Sequence, residues 1–578
     1  MTVADSGAAA SIDAPSSDSS VRTERCEPGD LDTDHLADQR VRRLALLAIV
    51  ALGLAVRLWG IDWQLPWQFH PDEGHYSWKA MDLIGQDTLN PKYFRNPSLQ
   101  TYLFLAEYRL LGFQASKADE QAATADGLFR PPSGVAFVAR VTVAIFGALT
   151  VLALAWAARP VVPAWAAIVG GLFLALAFIH VRDSHYATND VLPVLLLALS
   201  VGYALRIWRD PRLSSYLLAG LFGGLATSTK YNAGLFVVPL VVAHGLAVWS
   251  SASYRDWRRS LAPLVLAGVV AFSMYLAGTP YTVLDFPKWL ADFRTQSSFV
   301  DEPWEGQAKL PPGVAYAQAL VAGLGWPMLV LGVFGIVARL RQPDARRGAL
   351  VLLSFPLAYL AFMSRSELFF VRFALPVVPF VCLFAGVGVW EIWRLARTRG
   401  QTLGMAAAVI ATVVALIQPT VDTVRHNLLI AQEDTRVLAA RWAVENVPKG
   451  AKMALEEYTI RDRRPRAYGG PSWQLDTDLL DVNQLKRADP LAPLRGTTRF
   501  VMISSFQQDR FGVGGPDSPQ LQFYEALAQQ GRVVARFGPG RDGQPIPFDL
   551  EDLYSPYWGL DRYERPGPTV TVYELPGR

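Results

Sequence analysis

The chain has 578 residues, 51% hydrophobic and 18% charged, with a formal net charge of +3. Soluble domains carry about 25% charged residues, so this balance points to a membrane protein bearing some soluble mass. A charge this small leaves no footprint for nucleic acid, and Cys26 in a polar tail and Cys382 in an apolar run suggest neither a disulfide framework nor a cysteine zinc site.

Residues 1–40 are rich in Ser, Ala and Asp, lack periodicity, and lack the charged start, apolar centre and cleavage site of a leader. The expectation is a disordered cytoplasmic tail. Arg40, Arg42 and Arg43 then precede a first apolar run, Leu44–Trp59, read as a retained span. Further runs recur at 134–157, 164–181, 186–206, 214–229, 231–250, 261–280, 313–338, 348–364, 369–393 and 402–419. Most reach the roughly 17–25 residues that cross a bilayer, which predicts a polytopic α-helical membrane domain of about 11 spans over residues 41–420. Arginines cluster between alternate pairs of spans: Arg159; Arg206, Arg209 and Arg212; Arg255, Arg258 and Arg259; Arg339, Arg341, Arg346 and Arg347; Arg394, Arg397 and Arg399. With the N-terminus in the cytoplasm they all fall on that side, and the C-terminus lies outside.

The outer loop 60–133 begins with Trp63 and Trp67, expected as an aromatic collar at the lipid surface. Within it, Pro97–Phe113 is apolar but interrupted by Glu107 and Arg109, and reads as a helix in the interface with aromatic and Leu residues toward lipid. Arg130-Pro131-Pro132 closes the loop. Past Pro419 the composition changes, and residues 421–578 read as a small extracytoplasmic α/β domain. A helix over Asp434–Val447, a second over Gln520–Gln530, and strands at Lys452–Leu455, Arg499–Ser504, Arg532–Phe537 and Val570–Leu575 are expected. The aromatic stretch Leu553–Tyr563 suits either sugar or peptide contact or packing of this domain onto the loops. Gly170-Gly171 and Gly223-Gly224 fall inside spans, where they allow close helix packing.

Chemistry concentrates at His70-Pro71-Asp72-Glu73. Proline at a helix start and acids in its first turn are favoured by fixed φ and the helix dipole, so the motif could simply begin a helix over Glu73–Ile84. Adjacent carboxylates beside a membrane are costly, however, and suit acid–base work. Lys230, in the tight turn between the fifth and sixth spans, is either a phosphate contact or a lysine snorkelling to water. Arg57 near the end of the first span and Arg372 at the start of the tenth are further phosphate candidates, Arg57 equally an interface anchor. Arg182 and Asp190 either line the site or form an ion pair joining two spans. His70 and His75, with the two acids, fit no closed zinc pattern, and a divalent cation, Mg²⁺ or Mn²⁺, stays open as a cofactor.

Four features together resemble one superfamily: Arg57-Leu58-Trp59 near the end of the first span, Pro71-Asp72-Glu73, Asn96-Pro97-Ser98-Leu99, and Gly220 through Ser228-Thr229-Lys230-Tyr231. They are similar to the polyprenyl-phosphate-sugar-dependent glycosyltransferases of the GT-C fold, in the clan of protein O-mannosyltransferases and lipid A aminoarabinose transferases. The clan often has Pro-Pro-Leu after a His where this chain has Asn96-Pro97-Ser98-Leu99.

The resemblance implies an inverting glycosyltransferase that uses a polyprenyl-phosphate sugar and a protein, lipid or glycan hydroxyl acceptor. It would work at the outer face of a bacterial cytoplasmic membrane. Asp72 would be the base, Glu73 would orient the acceptor or bind a metal, and Lys230, Arg57 and Arg372 would hold the phosphate. A polar-lipid transporter or flippase is the alternative, but such proteins tend to have two pseudo-symmetric halves, and no halves are visible here.

Overall fold

The computed structural model describes residues 28–65, 67–114, 133–250, 257–300, 304–307, 310–460, 476–482, 489–513 and 518–576. Two units are distinguished, Met1–Leu44 and Ala45–Arg578. In the first, the chain is helical from Pro28, the start of α1 (Pro28–Leu58), so the expected disordered tail gives way to helix well before residue 40. Residues 1–27 and the turn Arg130-Pro131-Pro132 lie outside the described residues.

In the second unit the outer loop holds α2 (Ser77–Gly85) and α3 (Leu99–Leu110). The apolar runs then fold as α4 (Ser133–Ala158), α5 (Ala164–Leu176), α6 (Phe178–Asp183), α7 (Val191–Arg209), α8 (Leu213–Thr227), α9 (Val237–Ser250) and α10 (Trp257–Gly278). After α11 (Phe286–Ser298) come α12 (Pro312–Leu324), α13 (Trp326–Arg341), α14 (Pro343–Met363), α15 (Val378–Ala396) and α16 (Gln401–Ile430). Every run read as a span is helical over most of its length, as a backbone without water to bond to requires. Among the described residues, seven helices are long and apolar enough to cross a membrane, eight if the bent pair α12–α13 counts as one, while α5 and α8 are shorter. Length and composition alone therefore do not return the predicted eleven. Val265, Val269 and Phe272 on α10 and Val409, Ile410, Val413 and Ile417 on α16 are exposed, an apolar girdle suited to lipid.

Two predicted spans are broken, and each break is capped. Between α12 and α13 the axis turns by 108°. The hinge is Gly325 at φ 82°, a conformation that strains residues with a Cβ. The carbonyls of Val321 and Ala322 at the helix end accept from Gln418 Nε2, 3.1 Å each, and Val321 O also takes the Gly325 amide at 2.9 Å. Between α5 and α6, Ala177 at ψ 109° ends the helix. There Arg57 donates to Leu174 O at 3.3 Å and to Ala175 O at 3.0 Å. Elsewhere small residues bring helices together: a Cβ on Gly224 would lie 2.2 Å from Ala271 O, so α8 and α10 meet backbone to backbone.

The outer loop is more deeply packed than its sequence suggests. Trp63 and Trp67 are only 4% and 7% exposed, so they form no lipid-facing collar. Trp63 meets Tyr186 edge-on at 5.4 Å, and Trp67 packs with Ala440 and Ile460 of the C-terminal region. On α3, Phe104 and Tyr108 turn inward against Val135, Ala139 and Val143 of α4. Leu103, Leu110 and Leu111 stay exposed, so α3 shows leucines outward and keeps these two aromatics for the protein.

The C-terminal region begins with α17 (Thr435–Asn446), N-capped by the Asp434 carboxylate accepting from the Arg436 amide at 2.9 Å. A five-stranded sheet follows, of β1 (Lys452–Glu456), β2 (Asp476–Leu480), β3 (Phe500–Ser504), β4 (Arg532–Phe537) and β5 (Val570–Glu574), in the order β2-β1-β3-β5-β4. β1 runs parallel to β2 and β3, whereas β5 pairs antiparallel with β3 and β4. Central β3 is buried along its whole length. After it comes α18 (Ser505–Val513). Phe500 and Met502 face α17, while Val501 and Ile503 face the opposite layer with Phe523 and Leu527 of α19 (Pro519–Gln530), the period-two alternation of a covered sheet.

Candidate active site

Asp72 and Glu73 are neighbours in sequence and face different surroundings. Pro71 leads into a tight 3-10 turn, Glu73–His75, with Asp72 at its N-cap position making no side-chain cap. That leaves the Asp72 carboxylate, 25% exposed, free to face other groups. Glu73 is buried and meets the Arg140 guanidinium in a two-pronged pair, Nε–Oε1 2.7 Å and Nη2–Oε2 2.8 Å. Its Oε1 also accepts from the Ala187 amide at 2.9 Å. Arg140 spends its remaining group on Ile61 O and Trp63 O, at 3.2 and 2.7 Å. Glu73 thus rivets the outer loop to α4 and to the turn before α7. With both oxygens engaged it is not open to an acceptor or a metal, contrary to expectation.

Asp72 instead meets Arg372, whose Nη2 lies 3.0 Å from its Oδ2. The same guanidinium reaches toward Asp190, Nε to Oδ2 4.0 Å. Asp190, buried just ahead of α7, accepts from Lys230 Nζ through its other oxygen. Four segments far apart in sequence therefore form one chain of alternating charge, Asp72–Arg372–Asp190–Lys230. Buried charges persist only when paired in this way. One donor is left over: Arg372 Nη1 is buried without a partner among the described residues. Aromatic rings wall the cations, with Phe370 and Tyr554 each 4.2 Å from the Arg372 guanidinium and Phe373 5.0 Å from Lys230 Nζ.

The two histidines divide as well. His70 is buried and stacked on Tyr186 at 4.6 Å, and its Nδ1 accepts from the Asp72 amide at 3.2 Å. Burial, and then the charges of Arg372 and Arg182, push its imidazole well below the ordinary histidine range, so it stays neutral. His75 is exposed and lies flat on Tyr93, with ring centroids 5.0 Å apart and planes 4° from parallel. Among the described residues no group of three or more His, Cys, Asp or Glu is arranged to hold a metal ion. Asp72 and Glu73 are each paired with an arginine, Arg372 and Arg140.

Two expected contacts are not made. Arg57 is fully buried, and its donors are spent on Gly53 O, Ala175 O, Leu174 O, Ser184 Oγ and His180 Nδ1. No N–H remains for a phosphate, and Arg57 is a cap for the broken α5. Arg182 does not pair with Asp190. It pairs with Asp183 at 3.3 Å and with Glu551 at 2.8 Å, and donates to Ser555 O at 2.7 Å. Sequence reasoning passed over Arg140 and Glu551, and noted Tyr554 only as part of an aromatic stretch. An arginine inside the apolar run 134–157 was a usable signal for the first, because a charge there needs a partner.

A family model described as dolichyl-phosphate-mannose-protein mannosyltransferase matches residues 132–277, well under half of the chain. No curated protein matches by sequence. Among solved structures, the archaeal oligosaccharyltransferase AglB from Archaeoglobus fulgidus, in complex with an inhibitory peptide and a dolichol-phosphate, is similar at TM-score 0.56 and 10% identity. That match covers 93% of this chain and 89% of the other. ArnT from Cupriavidus metallidurans bound to undecaprenyl phosphate is similar at TM-score 0.51 and 16% identity, covering 91% of this chain and 97% of the other. These neighbours are polyprenyl-phosphate-dependent glycosyltransferases of the GT-C fold, and this chain shares that fold, as the sequence led us to expect.

Proposed function

Starting from a chain with the GT-C fold, we propose an inverting glycosyltransferase that moves a sugar from a polyprenyl-phosphate donor to a hydroxyl acceptor. The observation that carries this reading is the linked set Asp72–Arg372–Asp190–Lys230, which puts a proton acceptor and two cations in one place. AglB holds a dolichol-phosphate and ArnT an undecaprenyl phosphate in their structures, which supports a lipid phosphate as this chain's ligand too.

The acceptor oxygen attacks the anomeric carbon, the bond from that carbon to the phosphate oxygen breaks, and the acceptor proton passes to Asp72. Attack opposite the departing phosphate inverts the centre. Polyprenyl phosphate leaves with its growing charge met by Arg372, through the spare Nη1, and by Lys230. The exposed flank of Asp72, where His75 lies on Tyr93, is the acceptor side, and the buried flank toward Arg372 is the donor side. Glu73 and Arg140 hold the loop that carries the base. The arginine distribution supports a reading in which this site and the C-terminal domain face away from the cytoplasm.

The test has two parts. Mass spectrometry of the lipid that co-purifies identifies the donor, and transfer to an acceptor is followed by release of free polyprenyl phosphate. Stoichiometric release is expected. Movement of intact lipid-linked sugar across vesicles without release would instead make the chain a transporter.

A further inference from the structure

The C-terminal domain sends one segment into the charged network. Asp549 caps a short 3-10 turn, Leu550–Leu553, by accepting from the Glu551 amide at 2.9 Å. Beyond that turn the chain is fixed by the membrane domain. Glu551 accepts from Arg182 at 2.8 Å and from the Val371 amide at 3.1 Å, one residue before Arg372. The Ser555 hydroxyl meets His426 Nε2 at 3.0 Å, and the Tyr557 hydroxyl donates to Ala319 O at 2.7 Å. Tyr554, between these anchors, is 8% exposed and packs with Leu368 and Phe370. Its ring lies 5.2 Å from that of Phe370, 5.5 Å from His70 and 4.2 Å from the Arg372 guanidinium. Phe370 lies at the same distance, 4.2 Å, from that guanidinium. The cation thus touches two aromatic rings, one from each region of the chain.

We infer that Tyr554 is a positioning residue for Arg372, so that the C-terminal domain is a working part of the donor-phosphate site. This rests on the glycosyltransferase reading above. A guanidinium has several ways to turn, and Asp72 and Asp190 both attract this one. Ring contact restricts those turns and leaves Nη1 unpaired in a dry setting, where one added phosphate oxygen would be bound strongly. A domain that only covered the loops would need neither an aromatic ring at this point nor a carboxylate on the amide beside Arg372.

The experiment measures binding of undecaprenyl phosphate alone to the purified full chain in detergent, by native mass spectrometry, together with donor and acceptor KM values. Tyr554→Leu removes the ring and is expected to weaken lipid-phosphate binding and raise donor KM about ten-fold, with acceptor KM within about two-fold. Tyr554→Phe keeps the ring and is expected to stay within about three-fold of wild type on all readouts, which also provides a variant that folds. A Tyr554→Leu protein that binds the lipid phosphate as tightly as wild type would overturn the inference, as would equal shifts in both KM values. If wild type itself binds no polyprenyl phosphate, the glycosyltransferase reading fails with it, a result distinct from failure at Tyr554 alone.

Discussion

Arg372 Nη2 lies 3.0 Å from Asp72 Oδ2, so the cation assigned to the leaving phosphate and the carboxylate assigned to the acceptor proton hold one another. On the proposed roles, an arriving donor phosphate would draw that guanidinium from Asp72 and free the carboxylate to take a proton, which predicts an ordered reaction with donor first. Product inhibition by polyprenyl phosphate is then competitive with donor, whereas random addition of the two substrates would contradict this ordering.

Arg372→Lys is not a mild change. A lysine keeps the charge but loses the planar fork and the contact with Phe370 and Tyr554. Hydrogen bonds to charged groups are worth about 1.5–3 kcal/mol, so donor KM is expected to rise roughly ten- to hundred-fold. Acceptor KM should barely move. Steady-state kinetics with both substrates varied will show whether the effect falls on the donor.

Lys230→Ala has two consequences. It removes a cation from the donor side, and it leaves Asp190 buried with only the more distant Arg372. Donor KM and melting temperature are both expected to suffer. The double variant Lys230→Ala with Asp190→Ala recovers melting temperature without recovering donor affinity. Full recovery of donor affinity in the double variant would show that Lys230 serves only to neutralise Asp190.

Glu73→Gln tests a structural role. Breaking a buried pair by changing one partner costs about 3–5 kcal/mol, because Arg140 is left with its charge uncompensated. A large fall in melting temperature in detergent is expected. An unchanged melting temperature with lost turnover would return Glu73 to the chemistry.

In the C-terminal sheet, Glu456 is buried, and burial raises its carboxyl to about 8, opposed in part by the Ser504 amide and Tyr524. The folded state therefore binds more protons than the unfolded one between the ordinary glutamate value of 4.5 and about 8. Stability from this group is full below that window and declines as pH rises through it. Glu456→Gln is expected to flatten this part of the stability–pH curve, which melting temperatures across the range will test. An unchanged slope would show that Glu456 ionises normally.

The helical runs, two of the three C-terminal α-helices (Ser505–Val513 was missed) and four of the five strands were legible because apolar period and turn residues are local signals. β2 was missed because Asp476-Thr477-Asp478 shows no apolar alternation, and the strand exists through pairing with β1. Asp72, Lys230 and Arg372 could each be picked out by their positions at span ends. Their connection could not, since Asp190 joins two of them through side-chain geometry alone. Arg57 misled for a related reason: an arginine at a span end looks the same in sequence whether it meets a phosphate or, as here, the carbonyls of a broken helix. Tyr554 lay in a noted aromatic stretch, yet only the folded chain brings it 182 residues back to Arg372.

The most direct test is Asp72→Asn in the purified protein, with release of polyprenyl phosphate and binding of undecaprenyl phosphate measured on one preparation. General-base catalysis contributes roughly 10²–10⁴-fold, so release should fall by at least about a hundred-fold. Lipid-phosphate binding should hold or tighten, because Arg372 no longer shares itself with a carboxylate. Release at the wild-type rate from a folded Asp72→Asn protein would contradict the account.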